Sequence, residues 1–195
     1  MGWGDSPRGR DWKSDIDFID ARLREQGLKF DSVYSSDLER SRQTALIHAR
    51  NLGITDVHDT PDLKEINYGK LQKMKKMWVT RFFPQHKKNA DLVYPSGESF
   101  RQMQQRSVAC LSNLARERPE DNILIVTHAG VIRGIVSHFL GLDFGKHLEH
   151  KISFRYIGDF LFEGDNCVRY DELGKPSGFV RDGVIAVPLS LDQDS

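Results

Sequence analysis

Cysteine is scarce: the 195 residues hold two, Cys110 and Cys167, and no Cys-x-x-Cys pair. That count gives no disulfide framework and leaves structural zinc and secretion without support. Long apolar runs are missing too; no stretch approaches the ~18–20 residues of a membrane span. Residues 1–10 have a loop-like composition without the apolar core of a signal peptide. Net charge is absent as well, with 28 basic and 28 acidic residues. This balance argues against a generally basic nucleic-acid binder and against an acidic tail protein. We find no internal repeat and no low-complexity segment. The expectation is one cytoplasmic domain over residues 1–195, with neither nucleic acid nor membrane as a partner. At 22.4 kDa such a chain can bury roughly 70–75% of its extended surface, enough for a core without staples.

What is present alternates helix and strand. Trp12, Ile16, Ile19 and Leu23 recur at helical steps over residues 12–26, and Gly27 stands where that helix ends. Residues 30–35 read as a short strand, followed by Ser36 and Asp37 as capping chemistry and a helix over 38–52 stopped by Gly53. An extended piece around Val57 leads into an irregular stretch, 59–69. Residues 70–83 are basic and partly helical up to Pro84, and 85–97 form a polar loop. A long helical pattern covers 98–118. Residues 123–126 are a buried-strand run, and a helix over 131–140 closes at Gly141. Alternation over 152–162, at Val168 and over 184–187 indicates further strands. Helices alternating with strands predict α/β layers around a mostly parallel sheet.

Four segments could carry chemistry. In Ile123-Leu124-Ile125-Val126-Thr127-His128-Ala129-Gly130, a strand delivers His128 to the sheet's carboxyl edge. The N–H groups of Ala129 and Gly130 then open a helix, where unpaired donors and the dipole favour an anion. In Ser35-Ser36-Asp37-Leu38-Glu39-Arg40 a second strand-to-helix junction lets Arg40 aim its fork at a phosphate, while Arg42 points elsewhere. Glu65, in Leu63-Lys64-Glu65-Ile66-Asn67-Tyr68-Gly69, lies between regular elements and suits a general acid. Tyr94-Pro95-Ser96-Gly97-Glu98-Ser99, with Arg106 downstream, offers Ser96 as a helix cap. Lys70, Lys73, Lys75, Lys76, Arg81, Lys87 and Lys88 either steer an anionic substrate or solvate a helix face.

In this order and spacing the four segments resemble the histidine phosphatase superfamily, which has the phosphoglycerate-mutase-like fold, a three-layer α/β/α sandwich. The resemblance implies that Arg40 binds the phosphoryl group, that His128 and the Ala129 backbone hold it, and that Glu65 donates a proton to the leaving group. It implies no metal and no organic cofactor, and a small phosphorylated metabolite as substrate. The Glu65 segment is similar to the mutases, and the Tyr94–Arg106 pattern to the phosphatase branches.

One departure stands out. The family's first strand ends in Arg-His-Gly, whose histidine is the nucleophile, and this sequence has no Arg-His-Gly. His48 is expected in helix packing or facing outward; His58, His86, His138, His147 and His150 are expected at the surface or as caps. The resemblance therefore implies a domain truncated at its N-terminus, lacking its first central strand, and a chain impaired in turnover. The alternatives are a non-catalytic phosphate- or protein-binding relic of the family, or a phosphotransferase of the phosphoglycerate-mutase type.

Overall fold

The computed structural model describes residues 2–4, 12–72, 74, 76–143 and 152–173. Helix α1 (Trp12–Glu25) is followed by strand β1 (Ser32–Ser36), helix α2 (Glu39–Leu52) and strand β2 (Asp56–Thr60). Single turns at Pro61–Leu63 and Gly69–Leu71 lead to the short helix α3 (Lys76–Phe82) and a further turn at Pro84–Lys87. Then come α4 (Phe100–Glu117), β3 (Ile123–Val126), α5 (Ala129–Phe139) and the strands β4 (Gly158–Glu163) and β5 (Asn166–Glu172).

β1, β2 and β3 form a parallel sheet in the order β2-β1-β3, with Tyr34 level with His58 on one side and Ile125 on the other. Because side chains alternate across a strand, the sheet feeds two cores. Val33, with Leu124 and Val126, packs against Ala45 and Ala49 of α2. Tyr34 and Ile125 face the other way, towards Met103 and Leu111 of α4 and Val131 and Ile135 of α5. These are the three layers expected. Parallel strands also carry their carboxyl ends to one edge, so the N-termini of α2 and α5 lie together there.

β4 and β5 pair antiparallel as a separate sheet, although Phe160 and Phe162 of β4 pack into the same core as Ile125. Among the described residues, the second edge of β3 carries no strand. Its four apolar residues are only partly buried, as unpaired sheet edges are.

Several local expectations shift. Ser36 is the last residue of β1 rather than the cap of α2; its Oγ accepts from the Leu38 N–H at 3.2 Å, and Leu38 takes the cap position without a side-chain bond. Gly53 does end α2, in the left-handed region at φ 75°. Ser99, not Ser96, caps α4: its hydroxyl accepts from Gln102 N–H while the Gln102 side chain accepts from the Ser99 N–H. Ser96 instead occupies a turn at φ 59°. α5 begins at Ala129, two residues early, with His128 extended at its cap. Residues 152–157 are not strand, since Ser153 Oγ accepts from its neighbour Arg155's N–H and holds a local turn. His86's side chain, His147, His150 and the strand expected at 184–187 lie outside the described residues. Among the described residues no helix is long and apolar enough to cross a membrane.

Candidate functional site

β3 ends at Val126, and two residues later His128 caps α5 with its ring turned into the protein, 8% exposed. Its Nε2 lies 2.9 Å from Ser36 Oγ at the end of β1. Burial first, and then the positive charges of Arg40 and Arg106, push its pKa down to about 3. At neutral pH the ring is uncharged, so it offers one N–H donor and no cation.

Glu65 comes from the irregular stretch after β2 and brings its carboxylate to the same helix end. Its Oε2 accepts from Gly130 N–H at 3.3 Å and its Oε1 from Ile66 N–H at 3.0 Å. The approach depends on glycine. A Cβ at position 130 would stand 2.2 Å from Glu65 Oε1, so the carboxylate would have to move away from the helix end. Glu65 and the α5 N-terminus are thus fitted to one another.

Arg40, in the first turn of α2, donates through Nη1 to the Gly4 carbonyl at 2.9 Å and through Nη2 to the Gly2 carbonyl at 2.6 Å. The same segment is tied to the Glu65 stretch: Trp3 Nε1 donates to the Glu65 carbonyl at 2.7 Å. Arg42 is exposed, as its position on the helix predicts. Arg40, Glu65, His128 and the Ala129 backbone therefore share the sheet's carboxyl edge.

Three further residues, Ser36, Glu98 and Arg106, build this site, although the sequence reading names them without giving them that role. Arg106, on α4, donates to the carbonyls of Asp62 at 2.6 Å, Lys64 at 2.7 Å and Glu65 at 3.2 Å. It is paired with Glu98, whose Oε1 it meets at 2.8 Å and whose Oε2 at 3.0 Å. Glu98 Oε1 also accepts from Asn67 N–H at 2.8 Å. One ion pair thus brackets the segment that carries Glu65. The bond from Ser36 to His128 spans 92 positions, and no local pattern announces it; the only signal for Glu98 and Arg106 is their place in the fourth segment. His48, by contrast, is buried between α1 and α2 against Asp20, and His138 is exposed. Among the described residues no three His, Cys, Asp or Glu side chains group as metal ligands.

A family model described as histidine phosphatase superfamily (branch 1) matches residues 19–166. The chain is 37% identical over 115 residues to a metal-independent phosphoserine phosphatase of Arabidopsis thaliana, covering 53% of this chain and 46% of that protein. It thus spans about half the length of that relative. It is 30% identical to a probable phosphoglycerate mutase of Yersinia pestis, over 80% of this chain and 72% of the relative. The solved structure of Bacillus stearothermophilus YhfR superposes with a TM-score of 0.74 at 21% identity, covering 86% of this chain and 84% of that one; at that identity the likeness concerns the fold. With two thirds of the relative covered at 30% identity and the family model matched over most of its length, the chain belongs to branch 1 of the histidine phosphatase superfamily.

Proposed function

We propose that this chain carries the phosphate-holding site of a phosphomonoesterase that acts on small phosphorylated metabolites. The observation behind this reading is the meeting of the Glu65 carboxylate, the uncharged His128 ring and the α5 N-terminus beside Arg40. The Ala129 backbone N–H, the His128 N–H and the Arg40 fork suit the oxygens of a phosphoryl group, while the Gly130 N–H holds Glu65 beside them. For the Arg40 fork to engage, it exchanges the Gly2 and Gly4 carbonyls for phosphate oxygens. Protonated Glu65 gives its proton to the leaving alkoxide as the P–O bond breaks.

In a form that carries the family's nucleophilic histidine, that ring nitrogen attacks phosphorus as the alkoxide leaves. Water then attacks the phosphohistidine, Glu65 takes up the water's proton, and inorganic phosphate departs. None of this chain's seven histidines stands in an Arg-His-Gly. Among the described residues His128 alone reaches the site, whereas His48, His58 and His138 lie elsewhere. The chain is therefore expected to hold phosphate while turning it over slowly. This supports the second reading, a binding module, as far as the chain itself is concerned.

The test is hydrolysis of p-nitrophenyl phosphate and of phosphoserine by the purified chain, beside calorimetric binding of inorganic phosphate. Binding with weak turnover that Glu65→Gln lowers further supports the reading. Transfer to an acceptor alcohol in preference to water points to the mutase type. Absence of both binding and turnover overturns the proposal, and fast turnover abolished by His128→Ala overturns its claim of impairment.

A further inference from the structure

Charge that cancels over the whole chain does not cancel locally. Between Lys70 and Lys88 there are seven lysines and arginines and no aspartate or glutamate, in a chain of zero net charge. The rest of the molecule accordingly carries the opposite excess. Inside this cationic stretch sits α3, and its outward face is apolar. Met77 is 65% exposed, Trp78 42% and Phe82 60%, and at i, i+1 and i+5 they share one side of the helix with exposed Arg81. The Trp78 and Phe82 rings stack on each other, 5.7 Å between centroids and 15° between planes. Exposed apolar side chains elsewhere, such as Leu46 and Phe154, do not lie in a run of like charge, and scattered ones are ordinary on protein surfaces. Steering of a substrate explains the cations but not a contiguous apolar face.

We propose that α3 docks the protein on an anionic lipid surface, with Met77, Trp78 and Phe82 entering the interface, exposed Arg81 on the same side meeting lipid headgroups, and the positive charge of the 70–88 sequence drawing it there. Uniform composition pointed away from a membrane partner; the distribution of charge points towards one. Peripheral binding of this kind needs no spanning helix, only a one-sided apolar face ringed by cations. Lysine stems add to the apolar contact while their ammonium groups stay in water. Two other polyanionic partners fit less well. A protein clasp that wraps an amphipathic helix needs several turns, and Pro84 stops α3 at seven residues. A nucleic acid needs aromatic faces open for base stacking, whereas Trp78 and Phe82 lie against each other.

The experiment is co-sedimentation of the full chain with vesicles of phosphatidylcholine alone and of phosphatidylcholine with phosphatidylserine, repeated at rising salt. The proposal expects at least tenfold stronger partition onto the phosphatidylserine vesicles, weakening with salt. It also expects at least a fivefold loss in the doubly substituted W78S/F82S chain. Both side chains are exposed, and circular dichroism checks that the variant is folded. Equal partition onto the two vesicles, or none onto either, overturns the proposal. So does undiminished binding by the double variant, or its undiminished displacement by RNA, either of which would mark the segment as a plain polyanion site.

Discussion

Two histidines are buried among the described residues, and their surroundings differ. His48 lies in the middle of α2, 4% exposed, with Nδ1 2.6 Å from Asp20 Oδ1. Asn51 Nδ2 donates to the other Asp20 oxygen at 2.7 Å. The carboxylate is thereby shared between two partners, and the cluster joins α1 to α2. His128 is almost as buried, but it caps a helix, meets a hydroxyl instead of a carboxylate, and lies in the field of Arg40 and Arg106. Burial alone therefore does not separate a histidine that packs helices together from one at the proposed phosphate site. The sign of the surrounding charge does: a carboxylate closes a site, while cations and helix donors leave it ready for an anion.

Mutation separates the two histidines. The largest effect is expected at the closed site. Asp20→Ala leaves the buried His48 ring without its partner and should cost about 3 kcal/mol of stability in urea unfolding, with phosphate affinity of the folded protein unchanged. A loss of affinity equal to that at the α5 end would erase the distinction.

At the open site the expected signal is pH dependence. His128 has a folded pKa of about 3 against its ordinary 6.5, so the unfolded chain binds the extra proton between those values. The stabilisation is complete above pH 6.5 and is lost as pH falls towards 3, at no more than about 1.4 kcal/mol per pH unit. By pH 5 this histidine should cost about 2 kcal/mol, and His128→Asn should remove that part of the slope in unfolding midpoints. An unchanged slope in the variant would mean that the ring is not held neutral by its surroundings.

A smaller effect is expected from Gly130→Ala, since the added methyl meets the Glu65 carboxylate. Overpacking of that kind costs about 1–2 kcal/mol, and displaced Glu65 should lower any residual turnover more than it lowers phosphate binding. The smallest belongs to Arg42→Ala, whose exposed side chain should leave stability within about 0.5 kcal/mol and binding unchanged.

The open site was readable in the sequence where its signals are local. A run of four apolar residues followed by Thr-His-Ala-Gly announces strand, turn and helix together, and Arg40 stands in the first helical turn after a similar junction. The two-core arrangement follows from the alternation of Val33 and Tyr34. What was not readable depends on partners far along the chain. Asp20 and His48 are 28 residues apart, and Glu65 and Gly130 are 65 apart. Arg106 looks like one more helix arginine until α4 packs beside the turn at Pro61–Leu63 and its fork finds three carbonyls. The cap of α4 was misplaced because Ser96 and Ser99 offer the same hydroxyl, and only Ser99 has a glutamine three residues on to complete the box.

The proposed anion site lies at the joined ends of α2 and α5. Calorimetric titration of inorganic phosphate into the intact chain, into Arg40→Ala and into Asp20→Ala tests it most directly. We predict at least about a tenfold loss of affinity for Arg40→Ala, as removal of a charge-assisted fork implies, and parental affinity for folded Asp20→Ala. Equal affinity in all three, or none in the parent, would contradict it.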